Sequence, residues 1–404
     1  MIRKLDVETA YHSIRSHITC TPVVHSHTLS KLCGCHTLFK LENLQMTGAF
    51  KERGALNKLL SLTPAERTIG VITASAGNHA QGVAYHTQRL GIRAKIVMPI
   101  GTPLIKVVST QEYGAEVILH GESFDDAYQY ARRLEAEEKL IFVHPFDDPL
   151  VIAGQGTIGL ELLADPLGRE AEIVVCPIGG GGLIAGIATY LKETNPAIKV
   201  IGVEAAACAS MQAALKHGRP VTLPKASSLA DGIAVKQVGS LTFEIAQRYV
   251  DEVLTVEEDE IANAVLLLLE IEKIVVEGAG AVPLAAILKY RELFAGRKVV
   301  SIVSGGNIDV NILHRIITRG LTVAGRTVEF KVRLRDVPGA LTAVLGILAK
   351  LQTNILDIVH HRFDSVAPIG YVDVSITLET KNHAHIQEIR QALQESGYLV
   401  DGWK

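Results

Sequence analysis

Lys51 has the strongest claim to covalent chemistry in this sequence. It lies in Thr47-Gly48-Ala49-Phe50-Lys51-Glu52-Arg53-Gly54-Ala55, and the ALNKLLSL that follows is apolar at helical spacing. That spacing predicts Lys51 in the opening turn of a helix. A cation there faces the positive end of the helix macrodipole, so the neutral amine is favoured. A Schiff-base lysine needs that neutral form. Taken alone, the segment supports only a solvated lysine at a helix start, since the chain carries 40 lysines and arginines.

Three further segments carry chemistry. Ala74-Ser75-Ala76-Gly77-Asn78-His79 follows the strand-like run TIGVIT. Small residues there let backbone N–H groups converge on an anion such as a carboxylate, and Asn78 can bond a ring hydroxyl. Pro177-Ile178-Gly179-Gly180-Gly181-Gly182-Leu183 separates the run EIVVC from the helical LIAGIATYL. Consecutive glycines are entropically costly and suit backbone that wraps a phosphate at a helix N-terminus. Gly180, Gly182 and Gly186 miss the G-x-G-x-x-G spacing of a dinucleotide site, although Glu204 stands about where its acidic residue belongs. A lone phosphate is expected, which weakens a dinucleotide-dependent oxidoreductase. Ser304-Gly305-Gly306-Asn307 ends the run KVVSIV, where a serine hydroxyl can donate to a ring nitrogen or cap a helix. Each segment has an ordinary reading as a turn or cap. Four of them on one predicted edge argue for a cofactor site.

The elements that must hold these residues alternate. TIGVIT, AKIVMP, AEVILH, EIVVCPI, KVIGVE and KVVSIV read as buried parallel strands, continuously apolar. HAQGVAYHTQRLG, SFDDAYQYARRLEAEEK and LIAGIATYLKETN lie between them with helical spacing. Such alternation predicts open α/β sheets with ligands beyond the carboxyl ends of the strands. A catalytic domain is expected over 1–320, with a smaller inserted part around 50–150. RGLTVAGRT breaks the pattern, so 321–327 is expected to be a linker. From 328 to 404 the order strand EFKVRLRD, helix ALTAVLGILAKLQ, strands NILDIVHHRF and GYVDVSITLE, helix HIQEIRQALQES and strand YLVD is ferredoxin-like, βαββαβ. Asp336 is expected near the cap of the first of these helices, with Pro338 in its first turn.

Composition narrows the class. The formal net charge of -3 and the lack of a basic stripe give no reason to invoke nucleic acid or an anionic membrane. No apolar run approaches a bilayer span, and MIRKLDVETAYHS lacks a signal-peptide core. The five cysteines (Cys20, Cys33, Cys35, Cys176, Cys208) are odd in number and sparse, which predicts reduced thiols and a cytoplasmic location. Cys33-Gly34-Cys35 lacks a second ligand pair, so free thiols rather than a metal site are expected.

With these motifs assembled, the chain resembles the fold-type II pyridoxal-phosphate (PLP) family, and within it the threonine dehydratases (threonine ammonia-lyases). The resemblance rests on TGAFKERGA, ASAGNHAQG, PIGGGGLIAG and SGGN and runs over nearly the whole chain. It implies two open, mostly parallel sheets with helices on both faces. It also implies that Lys51 carries the cofactor, Phe50 packs against the ring and Asn78 bonds the ring oxygen. Gly179, Gly180, Gly181, Gly182 and Leu183 would hold the phosphate, and Ser304 would face the pyridine nitrogen. Ser75, Ala76, Gly77, Asn78 and His79 look like the substrate-carboxylate loop. RDVPGALTAVLGIL with QTNILDI resembles an ACT domain, which implies an amino-acid effector near Asp336, Pro338, Gly339, Ala340 and Leu341, and a homodimer or homotetramer. Isoleucine or valine would suit a biosynthetic enzyme.

The implied reaction removes water from a small hydroxy-amino acid: L-threonine to 2-oxobutanoate and ammonia, L-serine to pyruvate and ammonia. Lys51, once freed, would take the Cα proton. A neutral Ser304 opposite the ring nitrogen makes a weaker electron sink than an aspartate would, favouring prompt loss of a β-leaving group over racemisation or transamination. Ala76 agrees, because serine racemases of the family carry a serine there as an opposite-face acid/base. A racemase-type metal site near Glu204 is not expected, because Ser210 stands where a carboxylate belongs. Serine dehydratase, serine racemase and threonine synthase remain alternatives on the same fold. A non-catalytic amino-acid sensor is the alternative from another class.

Overall fold

Apolar runs rich in β-branched residues, most of them buried, form the strands of the first of two units, Met1–Ile308. In chain order these are β1 (Val23–His25), β2 (His36–Leu41), β3 (Val71–Ala74), β4 (Ala94–Met98), β5 (Glu116–Leu119), β6 (Ile141–Phe142), β7 (Ile173–Pro177), β8 (Lys199–Ala205), β9 (Glu252–Val256) and β10 (Lys298–Val303). A six-stranded sheet has the order β1-β2-β10-β7-β8-β9, and a four-stranded sheet the order β5-β4-β3-β6. Every pairing is parallel except that of β1 with β2. The smaller sheet is built from strands between Val71 and Phe142. The computed structural model describes residues 1–362 and 367–403.

Local chemistry moves some boundaries. TIGVIT starts as a helix, Pro64–Ile69, closed by a capping box between Thr63 and Glu66, and β3 begins only at Val71. β1, β2, β6 and β9 lie outside the runs expected to be strands. β2 hides its nature in Lys40, which is buried where a strand of this kind wants an apolar residue. Lys40 Nζ reaches Glu161 Oε2 at 2.6 Å. Arg53 bonds Glu42 Oε2 and Glu161 Oε1, each at 2.7 Å. Two buried cations thus meet two buried carboxylates, which offsets their desolvation and pins the helix Lys51–Leu60 to β2 and to the helix Pro149–Ala164.

The second unit is Asp309–Lys404. It opens with the helix Val310–Val323, then β11 (Thr327–Arg335), the helix Ala340–Lys350, β12 (Asn354–His361), β13 (Tyr371–Glu379), the helix His383–Glu395 and β14 (Leu399–Asp401). The sheet order is β12-β13-β11-β14, antiparallel throughout, with Phe330, Val332, Val374 and Ile376 packed against Leu348, Ile389 and Leu393. The ferredoxin-like order stands. Phe363 of the expected strand NILDIVHHRF and Lys404 lie outside the described residues.

Two expectations are corrected here. Residues 321–323 of the expected linker belong to the helix Val310–Val323, and the units part at 308/309 rather than at 320/321. Asp336 caps nothing. The cap of the helix Ala340–Lys350 is Gly339 at φ +86°, and Pro338 precedes the helix. The Asp336 carboxylate instead accepts from Arg362 Nη1 at 2.9 Å. A left-handed cap residue favours glycine, which takes the position from the aspartate.

Candidate active site

Three of the four motifs leave the carboxyl ends of neighbouring parallel strands, β2, β10 and β7. The fourth follows β3 in the other sheet, so the site draws on two sheet edges rather than one. Thr47 to Phe50 runs back along Ser304 to Asn307. The Phe50 N–H donates to the Ser304 carbonyl at 3.0 Å and the Gly306 N–H to the Gly48 carbonyl at 2.8 Å. Asn307 Nδ2 donates to the Thr47 carbonyl at 2.7 Å. Gly48 sits at φ +71°, and a Cβ on it would lie 2.6 Å from Asn307 Oδ1. This clasp delivers Lys51 to the first position of its helix, as expected. Lys51 Nζ donates to the Pro145 carbonyl at 2.8 Å and lies 5.3 Å from the centre of the Phe50 ring. Burial lowers its pKa to about 8, against the pull of Glu277. Desolvation, rather than the macrodipole, is thus the main cause of a readily neutral amine.

Asn78 opens the helix Asn78–Leu90. Its Nδ2 donates to Glu277 Oε1 at 2.8 Å, and its Oδ1 accepts from Asn307 Nδ2 at 2.9 Å. Asn307 also donates to Gln81 Oε1 at 3.2 Å. The amide is therefore oriented at both ends, with one Nδ2 proton left for a ligand. Burial pushes Glu277 up to about 7, with the Asn78 bond opposing. Sequence reasoning missed Glu277, whose neighbours EGAGAVP show only a helix start. His79 departs from its loop. Its buried ring bonds the Val143 carbonyl through Nε2 at 3.0 Å, and burial lowers its pKa to about 3. Ser75, Ala76, Gly77 and Asn78 remain partly exposed and form the open surface.

Gly179 to Leu183 lead into the helix Gly182–Thr194, which has no side-chain cap. The first N–H groups of a helix lack intrahelical acceptors, and here Gly181, Gly182 and Leu183 are buried. Gly181 takes φ +94°. The glycines also answer to packing. A Cβ on Gly180 would lie 2.3 Å from the Phe146 ring, and one on Gly179 would lie 2.9 Å from Ile233 Cα. Ser304 is buried at the end of β10. Pyridoxal phosphate fits these residues: a desolvated amine, buried uncapped donors for a phosphate, an oriented amide and a neutral hydroxyl.

At Glu204 the carboxylate accepts from the backbone N–H groups of Met211 and Gln212 at 2.7 and 2.9 Å, so it closes a helix start. All five cysteines are free thiols. Among the described residues, no helix is long and apolar enough to cross a membrane.

Known proteins resemble this chain. Residues 14–305 match the family described as pyridoxal-phosphate dependent enzyme, and residues 328–397 match the ACT domain. The chain is 48% identical over 400 residues to an L-threonine ammonia-lyase of Thermotoga maritima, covering 99% of each chain. It is 51% identical over 395 residues to an L-threonine ammonia-lyase of Geobacter sulfurreducens, covering 98% of each. Among solved structures, the processed form of threonine deaminase isoform 2 from Solanum lycopersicum superposes with a TM-score of 0.73 at 39% identity, covering 78% of this chain and 91% of that one. With the lysine, the glycine turn and the strand-end serine in the same unit, the chain belongs to the pyridoxal-phosphate-dependent enzymes and carries a C-terminal ACT domain.

Proposed function

We propose that the protein is a PLP-dependent ammonia-lyase that converts L-threonine to 2-oxobutanoate and ammonia, with L-serine as a further substrate giving pyruvate and ammonia. The observation that carries this reading is likeness along the full chain, both units included, to two proteins named L-threonine ammonia-lyase.

In this reading each residue has a defined task. Lys51 Nζ, kept readily neutral by burial, holds the cofactor and takes the proton from the substrate Cα. The uncapped start of the helix Asn78–Leu90 and the loop from Ser75 to Gly77 receive the substrate carboxylate. Asn78 presents its remaining Nδ2 proton to the ring oxygen, and Phe50 flanks the ring. Gly179 to Leu183 hold the phosphate through backbone N–H groups. Ser304 offers the ring nitrogen a neutral hydroxyl, which suits loss of a β-hydroxyl over a long-lived carbanion. When bound, pyridoxal phosphate supplies the electron sink for negative charge at Cα.

Initial rates of 2-oxo acid release from L-threonine, L-serine and O-phosphohomoserine test the reading. L-Threonine is expected to show the highest kcat/KM, and no oxo acid from it sinks the proposal. Lys51→Ala is expected to lose the visible absorbance of the bound cofactor and about 10²–10⁴-fold or more of the rate. A racemase is disfavoured because Ala76 carries no proton. A purified protein without colour or cofactor would revive the sensor.

The ACT domain supports an amino-acid effector near Asp336, Pro338, Gly339, Ala340 and Leu341, with isoleucine and valine as first candidates. Calorimetric titration checks this. A homodimer or homotetramer in the cytoplasm completes the reading.

A further inference from the structure

The Gly180 carbonyl turns away from the uncapped helix start and toward the helix Ser240–Tyr249. It accepts from Thr242 Oγ1 at 2.7 Å and from the Gly239 N–H at 3.3 Å. Thr242 is fully buried. The carbonyl of Gly180 and the N–H of Gly181 belong to one planar trans peptide, in which the two bonds point in opposite directions. Holding the carbonyl on one side therefore aims the Gly181 N–H at the other. Thr242 also backs the turn sterically, since a Cβ on Gly181 would lie 2.8 Å from Thr242 Cβ.

Thr242 is itself held. The Asp147 carboxylate accepts from the N–H groups of Ser240 at 3.0 Å, Leu241 at 3.0 Å and Thr242 at 3.1 Å, capping the helix from a distant part of the chain. Asp147 follows Phe146, which packs over Gly180, and Pro145, whose carbonyl holds the Lys51 amine. The tripeptide Pro145-Phe146-Asp147 thus links the amine to the glycine turn.

We propose that Thr242 is a positioning residue for the phosphate seat: its hydroxyl, clamped on the Gly180 carbonyl and steadied by Asp147, aims the Gly181 N–H at the phosphate of the cofactor. This rests on the reading of Gly179 to Leu183 as that seat. The effect is confined to the phosphate, so a cofactor analogue without one separates aim from general integrity.

The test compares the affinity of the full-length apoprotein for pyridoxal phosphate and for pyridoxal, read as free ligand after ultrafiltration. Thr242→Val keeps the shape and removes the hydroxyl. It is expected to weaken pyridoxal phosphate by about tenfold, as for the loss of one buried hydrogen bond while the Gly239 N–H stays on the carbonyl, and to leave pyridoxal nearly unchanged. Thr242→Ser is expected to restore the preference. Equal losses for both ligands, or no loss for either, overturn the proposal. If the valine variant does not fold, Asp147→Asn reads the same chain of bonds: a selective loss supports the proposal, and an equal loss or none overturns it. Gly181→Ala separates the two levels. If it leaves the phosphate preference intact, the seat itself is misassigned; if it removes the preference while Thr242→Val does not, only the role of Thr242 falls.

Discussion

The turn after β7 and the turn after β3 look alike in sequence, each small, glycine-bearing and opening a helix that no side chain caps. Their surroundings differ. In the first, the space beside Gly180 is filled by Phe146 and the space beside Gly181 by Thr242, and the backbone runs through φ +94°. In the second, a Cβ on Gly77 would meet nothing within 4 Å, and φ there is -134°, outside the left-handed region. A seat for a cofactor that stays through every turnover can be walled in by protein. A loop that admits and releases a small carboxylate each cycle needs an open side. Under the proposed assignment, the contrast gives rigidity to the phosphate and adaptability to the substrate.

Gly180→Ala puts a methyl into the Phe146 ring. Overpacking of this kind costs about 1–3 kcal/mol, so cofactor retention after dialysis is expected to fall by about 10–100-fold. Retention equal to that of the unaltered protein would break the contrast. Next in size is a pH effect. Burial disfavours the charged form of Lys51, so the amine is neutral above about 8 and protonated below. The rate at which the apoprotein captures cofactor is expected to rise about tenfold per pH unit and level off above that value. A midpoint near the ordinary lysine value of about 10.4 would remove burial as the cause. Gly77→Ala should be mild: stability within about 0.5 kcal/mol, cofactor retention unchanged and only KM for L-threonine raised. Loss of cofactor in this variant would make the two turns equivalent. Smallest is Ala76→Ser, expected to yield detectable D-serine from L-serine by chiral chromatography. No gain would count against Ala76 lying opposite Lys51.

How far each part was legible follows from whether its signal is local. β3, β4, β7, β8 and β10 showed as apolar runs because parallel sheets bury both faces, and β5 showed as one although its edge position leaves it partly exposed. β2 escaped because Lys40 is neutralised by Glu161, a partner 121 positions away. Lys51, Asn78, the glycines and Ser304 were singled out through motifs as candidates, whereas Glu277 was not. It bonds Asn78 across 199 positions, and nothing near it in sequence announces that. His79 went the other way, since only packing shows its ring turned toward Val143.

The same division runs through the two turns. Sequence alone determined that small residues follow β3 and β7 and open helices, since glycine content and apolar periodicity are local properties. It also determined the βαββαβ order that follows the helix Val310–Val323 in the second unit, through its alternating runs. Only tertiary structure decided which turn is walled and which is open, because Phe146, Thr242 and Asp147 reach the glycines from other segments. It decided the state of Lys51 as well. A helix start alone gives a modest electrostatic bias, whereas enclosure by distant segments removes the water that would stabilise the charge.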